Sequence, residues 1–169
     1  MAKLLLFGYG NPGRGDDALG PELIARIERM QLAGVECQND MQLQVEHVTD
    51  LNGCDLVLFV DADMSCTEPY EFSEIAAEKD SSYTSHAMNP AALLHACREV
   101  YGKDAPPAFL LRIRGYDFGL GDPLTGRAVS NLEAATQLVV ELCNSVSLPM
   151  WRKKLNTSCL VNTSCLAIQ

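Results

Sequence analysis

Strands alternating with amphipathic helices predict a three-layer α/β fold, a sheet covered by helices on both faces. Three observations carry the prediction. Lys3 to Phe7 is a short apolar run that breaks at Gly8-Tyr9-Gly10. Asp55 to Val60 is a second, continuously apolar run, as expected of a parallel strand buried on both faces. Between them, Leu19, Leu23, Ile24, Ile27 and Met30 follow the 3.6-residue period of a helix.

That first helix is punctuated by Pro21 in its opening turn and Gly34 just past its end. Val35 to Gln38 reads as the second strand. Leu43, Val45 and Val48 to Leu51 read as a short helix closed by Asn52-Gly53. The central strand ends abruptly at Asp61-Ala62-Asp63. Tyr70, Phe72 and Ile75 alternate with polar residues, which predicts a strand with one open face, antiparallel at an edge. Pro90 to Val100 reads as a helix stopped by Gly102, Phe109 to Ile113 as a further strand, and Leu132 to Val146 as the last helix.

The 169 residues suit one domain, placed at 1–149. A content of 47% hydrophobic and 21% charged residues excludes wholesale disorder, collagen-like repeats and coiled coils. With 13 Lys+Arg against 22 Asp+Glu the net charge is −9, which argues against a nucleic-acid partner. The apolar start is too short for a signal-peptide core, and nothing approaches the ~20 apolar residues of a membrane span, so a cytoplasmic, membrane-free monomer is expected. Seven cysteines, never spaced Cys-x-x-Cys, suggest neither a disulfide framework nor a zinc knuckle, and most read as small buried residues. After Pro149 the sequence changes in kind: Asn156-Thr-Ser-Cys-Leu160 recurs as Asn162-Thr-Ser-Cys-Leu166. Residues 150–169 are therefore set apart as a tail, either a natural extension or a cloning remnant or altered reading frame.

Chemistry collects where an open α/β sheet binds ligands, in loops leaving the C-terminal ends of strands. Asp16 and Asp17 follow the first strand, Asp61 and Asp63 close the central one, and His86 lies in the polar stretch Ser-Ser-Tyr-Thr-Ser-His-Ala-Met-Asn-Pro. If the first and central strands are neighbours, the carboxylate loops open into one crevice. Carboxylates plus one imidazole suit a divalent ion such as nickel, zinc, manganese or iron, with coordination positions left open. Asp63 is read as a turn residue, and His47 and His95 as partly exposed structural residues. No Gly-x-Ser-x-Gly elbow or activated cysteine is present, and Cys66 reads as a loop residue, so activated water is the expected attacker in a hydrolase. Gly8-Tyr-Gly10-Asn11-Pro-Gly13 also fits the dinucleotide pattern Gly-x-Gly-x-x-Gly, with Glu36 or Asp40 as the ribose acid. The other reading is that Gly8 and Gly10 let the backbone turn tightly and bring Asn11 and Asp17 into the crevice.

Taken together, Gly8-Tyr-Gly-Asn11, Asp16-Asp17-Ala-Leu-Gly20-Pro21, Val60-Asp61-Ala62 and Ser85-His86 resemble the nickel–iron hydrogenase maturation endopeptidases. Gln42-Leu43-Gln44-Val45-Glu46 agrees, as do Arg114-Gly115-Tyr-Asp-Phe118 and Gly121-Asp122-Pro-Leu124. The last two most resemble the branch that serves NAD(P)-linked bidirectional hydrogenases, and the resemblance runs from Lys3 to about Ser145. It implies a three-layer α/β sandwich with a mostly parallel five-stranded sheet, and a hydrolase of the aspartic type. The implied activity is removal of a C-terminal peptide from the precursor of a hydrogenase large subunit, with nickel already in that substrate as the recognition signal. Carried over by position, the metal contacts fall on Asp17, Asp61 and His86, and water activation on Asp16 or Asp17. Ala87-Met88 stands where many relatives follow the histidine with a polar residue. Two rivals accompany this reading: a dinucleotide-binding module, and a peptidyl-tRNA hydrolase-like enzyme suggested by Gly10-Asn11-Pro12-Gly13. A nickel scaffold using the same three ligands is a third.

Overall fold

A computed structural model describes residues 2–79 and 88–155. Five strands form one sheet in the order β2-β1-β3-β5-β4. They are β1 (Leu4–Tyr9), β2 (Val35–Asp40), β3 (Leu56–Asp63), β4 (Tyr70–Ile75) and β5 (Ala108–Arg114). β2, β1, β3 and β5 are mutually parallel, and β4 closes one edge antiparallel to β5. The expected mostly parallel five-stranded α/β sandwich is thus what the chain adopts, with the alternating segment as its antiparallel edge.

Strand alternation sorts the core into two halves. Leu4 and Leu6 of β1, with Leu56, Leu58 and Val60 of β3, face α1 (Leu19–Glu28) and α4 (Gly126–Asn144). Leu5 and Phe7, with Val57 and Phe59, face α2 (Val48–Leu51) and α3 (Pro90–Tyr101). β3 is buried on both faces, as its unbroken apolar run requires. α3 begins at Asn89, whose side chain accepts from the Ala92 amide at 2.8 Å, and ends at Gly102 in the left-handed conformation.

Three boundaries differ from the sequence expectation. β3 continues through Asp61, Ala62 and Asp63, because β5 is long enough to pair with them as far as Arg114. Asp61 therefore stands on a strand and not in a loop. α4 begins at Gly126, six positions before Leu132, because Thr125 caps it by accepting from the Ala128 amide at 3.2 Å. Its early core-facing residue, Ala128, is too small to announce the apolar period.

The third difference concerns the boundary after Pro149. The core does not stop there: a helix over 148–155, α5, carries Trp151, which is 0% exposed. Its ring lies edge-on to Phe109 at 5.1 Å and to Phe72 at 6.3 Å. The indole nitrogen donates to the Leu142 and Ser145 carbonyls at 3.1 and 3.0 Å, satisfying a polar group that burial would otherwise penalise. The repeated segment over 156–166 lies outside the described residues.

Trp151→Ala should cost about 3–5 kcal/mol, since it empties a large aromatic from a closed part of the core. Urea unfolding followed by circular dichroism measures it; a midpoint within error of the parent would mean that α5 is not part of the folded unit.

Candidate active site

β1 and β3 are neighbours in register, Gly8 opposite Val60, so the segment leaving β1 emerges beside Asp61. The condition for a shared crevice is met. Residues 10–14 then fold back on themselves. Gly10 takes φ +146° and donates its amide to the Asp40 carbonyl at 3.1 Å. A Cβ there would collide with the Asp17 carbonyl oxygen, so only glycine lets the two stretches lie this close. Gly20 does the same service at the start of α1, where a Cβ would stand 2.6 Å from the Val60 carbonyl. The helix start is thereby drawn against the strand ends that carry the acids.

Asp16 and Asp17 lie in one 3-10 turn, Gly15–Ala18, and point to different surroundings. Asp16 is 0% exposed. Its carboxylate accepts from the Thr125 amide at 2.7 Å, the Tyr116 amide at 2.8 Å, the Thr125 hydroxyl at 2.9 Å and the Asp117 amide at 3.2 Å. Burial pushes its pKa up, but these four donors outweigh that and hold it below the ordinary carboxylate range. Asp16 is thus a buried tie between the first loop and residues 116–125, with no oxygen left over to activate water. This corrects the catalytic role offered for it from sequence. Asp17 is half-buried, and one oxygen accepts from the Asn11 amide at 2.8 Å. The Asn11 side chain serves its own turn, accepting from the Gly13 amide at 2.8 Å.

Asp61 is held by the Ala62 amide, which donates to Oδ1 at 2.8 Å. Its pKa is pushed up to about 7, chiefly by burial. The charges of Asp17 and Asp63 add to the rise, and the Ala62 hydrogen bond works against it. Asp17 and Asp61 are therefore close enough for one charge to oppose the other. Asp63 accepts from the Ser65 amide and hydroxyl, each at 2.7 Å, which is the turn role expected of it. Its other oxygen takes Arg112 at 2.9 Å, and Arg112 also pairs with Glu71.

Of the three metal contacts implied from sequence, Asp61 stands at the end of β3 and Asp17 in the turn that follows the neighbouring strand β1, while His86 lies outside the described residues. Met88, two positions beyond it, packs with the α3-side core and donates its amide to the Leu43 carbonyl at 3.2 Å. That core half also carries Phe59, which shares a strand face with Asp61. Among the described residues no group of three His, Cys, Asp or Glu side chains could hold a metal ion. His47 is structural: its Nδ1 accepts from the Gln44 amide at 2.9 Å, and Nε2 meets Asp40 at 3.0 Å. His95 faces Glu99 on its own helix at 3.8 Å. Cys66 is buried, and its thiol is pushed up to about 11 by burial and nearby carboxylates, so it is no nucleophile.

The glycine-rich loop does not cradle a phosphate. The Gly10, Asn11, Gly13, Arg14 and Gly15 amides donate to Asp40, Asp17, Asn11, Asn11 and Asp122, so the N–H groups a pyrophosphate would need are already engaged. Both candidate ribose acids are engaged as well: Asp40 meets His47 at 3.0 Å and Glu36 pairs with Lys3 at 3.4 Å. No helix among the described residues is long and apolar enough to cross a membrane.

Fold and crevice together define a doubly covered α/β sheet that presents two opposed carboxylates at the C-terminal ends of adjacent strands. Solved structures share this architecture. The chain is similar to the NiFe hydrogenase maturation protease HycI from Thermococcus kodakarensis KOD1, with 23% identity and a TM-score of 0.67 over 85% of this chain and 94% of that one. The hydrogenase maturating endopeptidase HybD from E. coli gives 20% identity and a TM-score of 0.67 over 85% and 93%. A hydrogenase 2 maturation peptidase from Thaumarchaeota archaeon SCGC_AB-539-E09 gives 21% and 0.59 over 82% and 96%. At these identities the likeness establishes the fold. No protein-family model matches the chain, and no curated protein sequence does.

Two substitutions should shift stability in opposite directions. Asp16→Asn keeps one accepting oxygen but turns amide hydrogens toward at least the Thr125 amide, a donor, and removes the charge, so it should cost about 2–3 kcal/mol at neutral pH. Because the folded pKa of Asp16 is depressed, its contribution is present above the unfolded value of 3.8 and is lost as pH falls through the folded one. Asp61 behaves inversely: the fold keeps its proton to about pH 7, the unfolded chain only to about 3.8, so stability declines as pH rises between them. Asp61→Asn should therefore stabilise by on the order of 2–4 kcal/mol at pH 8 and by little at pH 4. Denaturant melts at the two pH values check both signs; a destabilised Asp61→Asn at pH 8 would overturn the account of Asp61.

Proposed function

We propose that this chain is an endopeptidase that removes a C-terminal peptide from the nickel-loaded precursor of a hydrogenase large subunit. The observation that carries the reading is Asp61 at the end of β3, its pKa pushed up to about 7 chiefly by burial and further by the charge of Asp17 in the turn after the neighbouring strand β1. An acid held to about pH 7 beside a second carboxylate is a site that a divalent cation relieves, and carboxylate oxygens suit such an ion. The structural neighbours are described as hydrogenase maturation proteases, which supports the same substrate for this chain. The resemblance of Arg114-Gly115-Tyr-Asp-Phe118 and Gly121-Asp122-Pro-Leu124 is the ground for proposing the branch that serves NAD(P)-linked bidirectional hydrogenases, and a cytoplasmic monomer is proposed with it.

In this reading nickel arrives with the substrate and is the recognition signal. Asp17 and Asp61 contact it from the ends of β1 and β3, and His86 from the segment before α3. Asp17 is also the base. Its Oδ2 is fixed by the Asn11 amide, which orients the carboxylate to take a proton from the water that attacks the scissile carbonyl. Asp16 holds Asp17 in place from behind without touching substrate.

Asp17→Ala, Asp61→Ala and His86→Ala should each abolish trimming of a nickel-loaded precursor, read as loss of the released peptide by mass spectrometry, while the circular dichroism spectrum is retained. Nickel-free precursor should resist the parent enzyme. Equal trimming of loaded and nickel-free precursor would refute metal recognition, and normal cleavage by the three variants would refute the site.

A further inference from the structure

We propose that Arg112 is a positioning residue of the crevice: by holding Asp63 and Glu71 it keeps both off the cation that Asp17 and Asp61 meet, so that the crevice reads nickel carried by the substrate and does not collect free ions. The inference rests on the proposed reading of Asp17 and Asp61 as metal contacts and adds the residue that limits the site to them.

Alternation puts Asp61 and Asp63 on one face of β3, and the register sets Arg112 of β5 beside Asp61 and Glu71 of β4 beside Arg112. Three carboxylates and one guanidinium thus share a face at the rim of the sheet. Arg112 reaches diagonally to Asp63, where Nη1 donates to Oδ2 at 2.9 Å, and straight across to Glu71, where Nη2 donates to Oε2. The other oxygen of each acid is taken by the turn after β3. Oδ1 of Asp63 accepts from the Ser65 amide and hydroxyl, each at 2.7 Å, and Oε1 of Glu71 from the Thr67 amide at 3.0 Å and hydroxyl at 2.9 Å. Every oxygen of Asp63 and Glu71 therefore has a donor of its own.

Without the guanidinium this face would invite an ion. Asp63 stands two positions beyond Asp61, its charge is felt there, and a carboxylate site binds divalent cations more tightly as acids are added to it. Yet among the described residues no three acidic, histidine or cysteine side chains are arranged to hold one. The Arg112 pairs turn Asp63 aside and account for that. Stability does not account for them: the side chains of Asp63, Glu71 and Arg112 are 20%, 34% and 35% exposed, and ion pairs open to water contribute little. A functional reason fits better. An enzyme that distinguishes loaded from empty precursor loses the distinction once it carries an ion of its own.

The test is a mutant cycle of Arg112→Met with Asp63→Asn, read by calorimetry with nickel(II) alone and by inhibition of precursor trimming with free nickel(II). Arg112→Met keeps the methylene stem and removes the donors, so it should tighten nickel(II) by about tenfold or more and lower the inhibitory concentration in step. Arg112→Gln, which keeps one donor group, should show a smaller gain of the same sign. Asp63→Asn should change affinity by less than about twofold alone and remove most of the gain in the Arg112→Met background. Asp61→Asn should remove it too. Unchanged or weaker nickel(II) binding in both Arg112 variants, while the parent trims loaded precursor and Asp61→Asn does not, would overturn the role of Arg112 and leave the site standing. A lower melting temperature with no gain in affinity would overturn it as well, by making the pairs merely structural, and so would a gain that survives Asp63→Asn. Trimming indifferent to Asp61→Asn would bring down the reading of Asp61 and this inference with it.

Discussion

The buried carboxylate of Asp16 is the interaction on which the rim of the sheet depends. Its four donors come from residues 116, 117 and 125, about a hundred positions away in the chain, and they bind the loop after β1 to the segment between β5 and α4. Main-chain bonds run in parallel with it: Gly15 to the Asp122 carbonyl, Asp16 to that of Asp117 and Gly121 to that of Gly13. A buried charge without partners would cost several kcal/mol, so the two loops are stable only when closed on each other. With Asp16 turned inward, the next residue of the turn is directed elsewhere, because successive side chains of a 3-10 turn diverge by about 120°. Asp17 owes its place at the crevice to that geometry.

The same loop also needs the close packing of β1, β3 and the start of α1. Gly20 against the Val60 carbonyl removes the space a side chain would occupy, and Gly10 removes it again next to Asp17. The acids are therefore carried by the tightest part of the backbone, on strand ends and a short turn. Asp61 is largely buried there, which is the chief reason its pKa is pushed up to about 7, and the nearby Asp17 charge adds to the rise.

Much of this was legible in the sequence. The unbroken apolar run before Asp61 could only be a strand covered on both sides, the 3.6 period from Leu19 could only be α1, and the alternation through Tyr70, Phe72 and Ile75 marked the edge strand. Features that depend on contact across the chain were not legible. Two adjacent aspartates look alike until the donors on Asp16 are seen. The first turns of α4 hide behind small residues, and α5 behind a boundary drawn at Pro149, so Trp151 was excluded from a core it helps to fill.

The loop after β1 shows the limit most sharply. Its glycine pattern, Gly8-Tyr-Gly10-Asn11-Pro-Gly13, invites a phosphate. The structure engages the loop amides internally, so that turn serves the protein's own acids and not an anion. Once β1 and β3 are adjacent, period-two alternation puts Tyr9 and Asp61 on one face. The chemistry of this rim thus follows from which residues share a strand face at the point where the sheet ends, a property of register that no local motif contains.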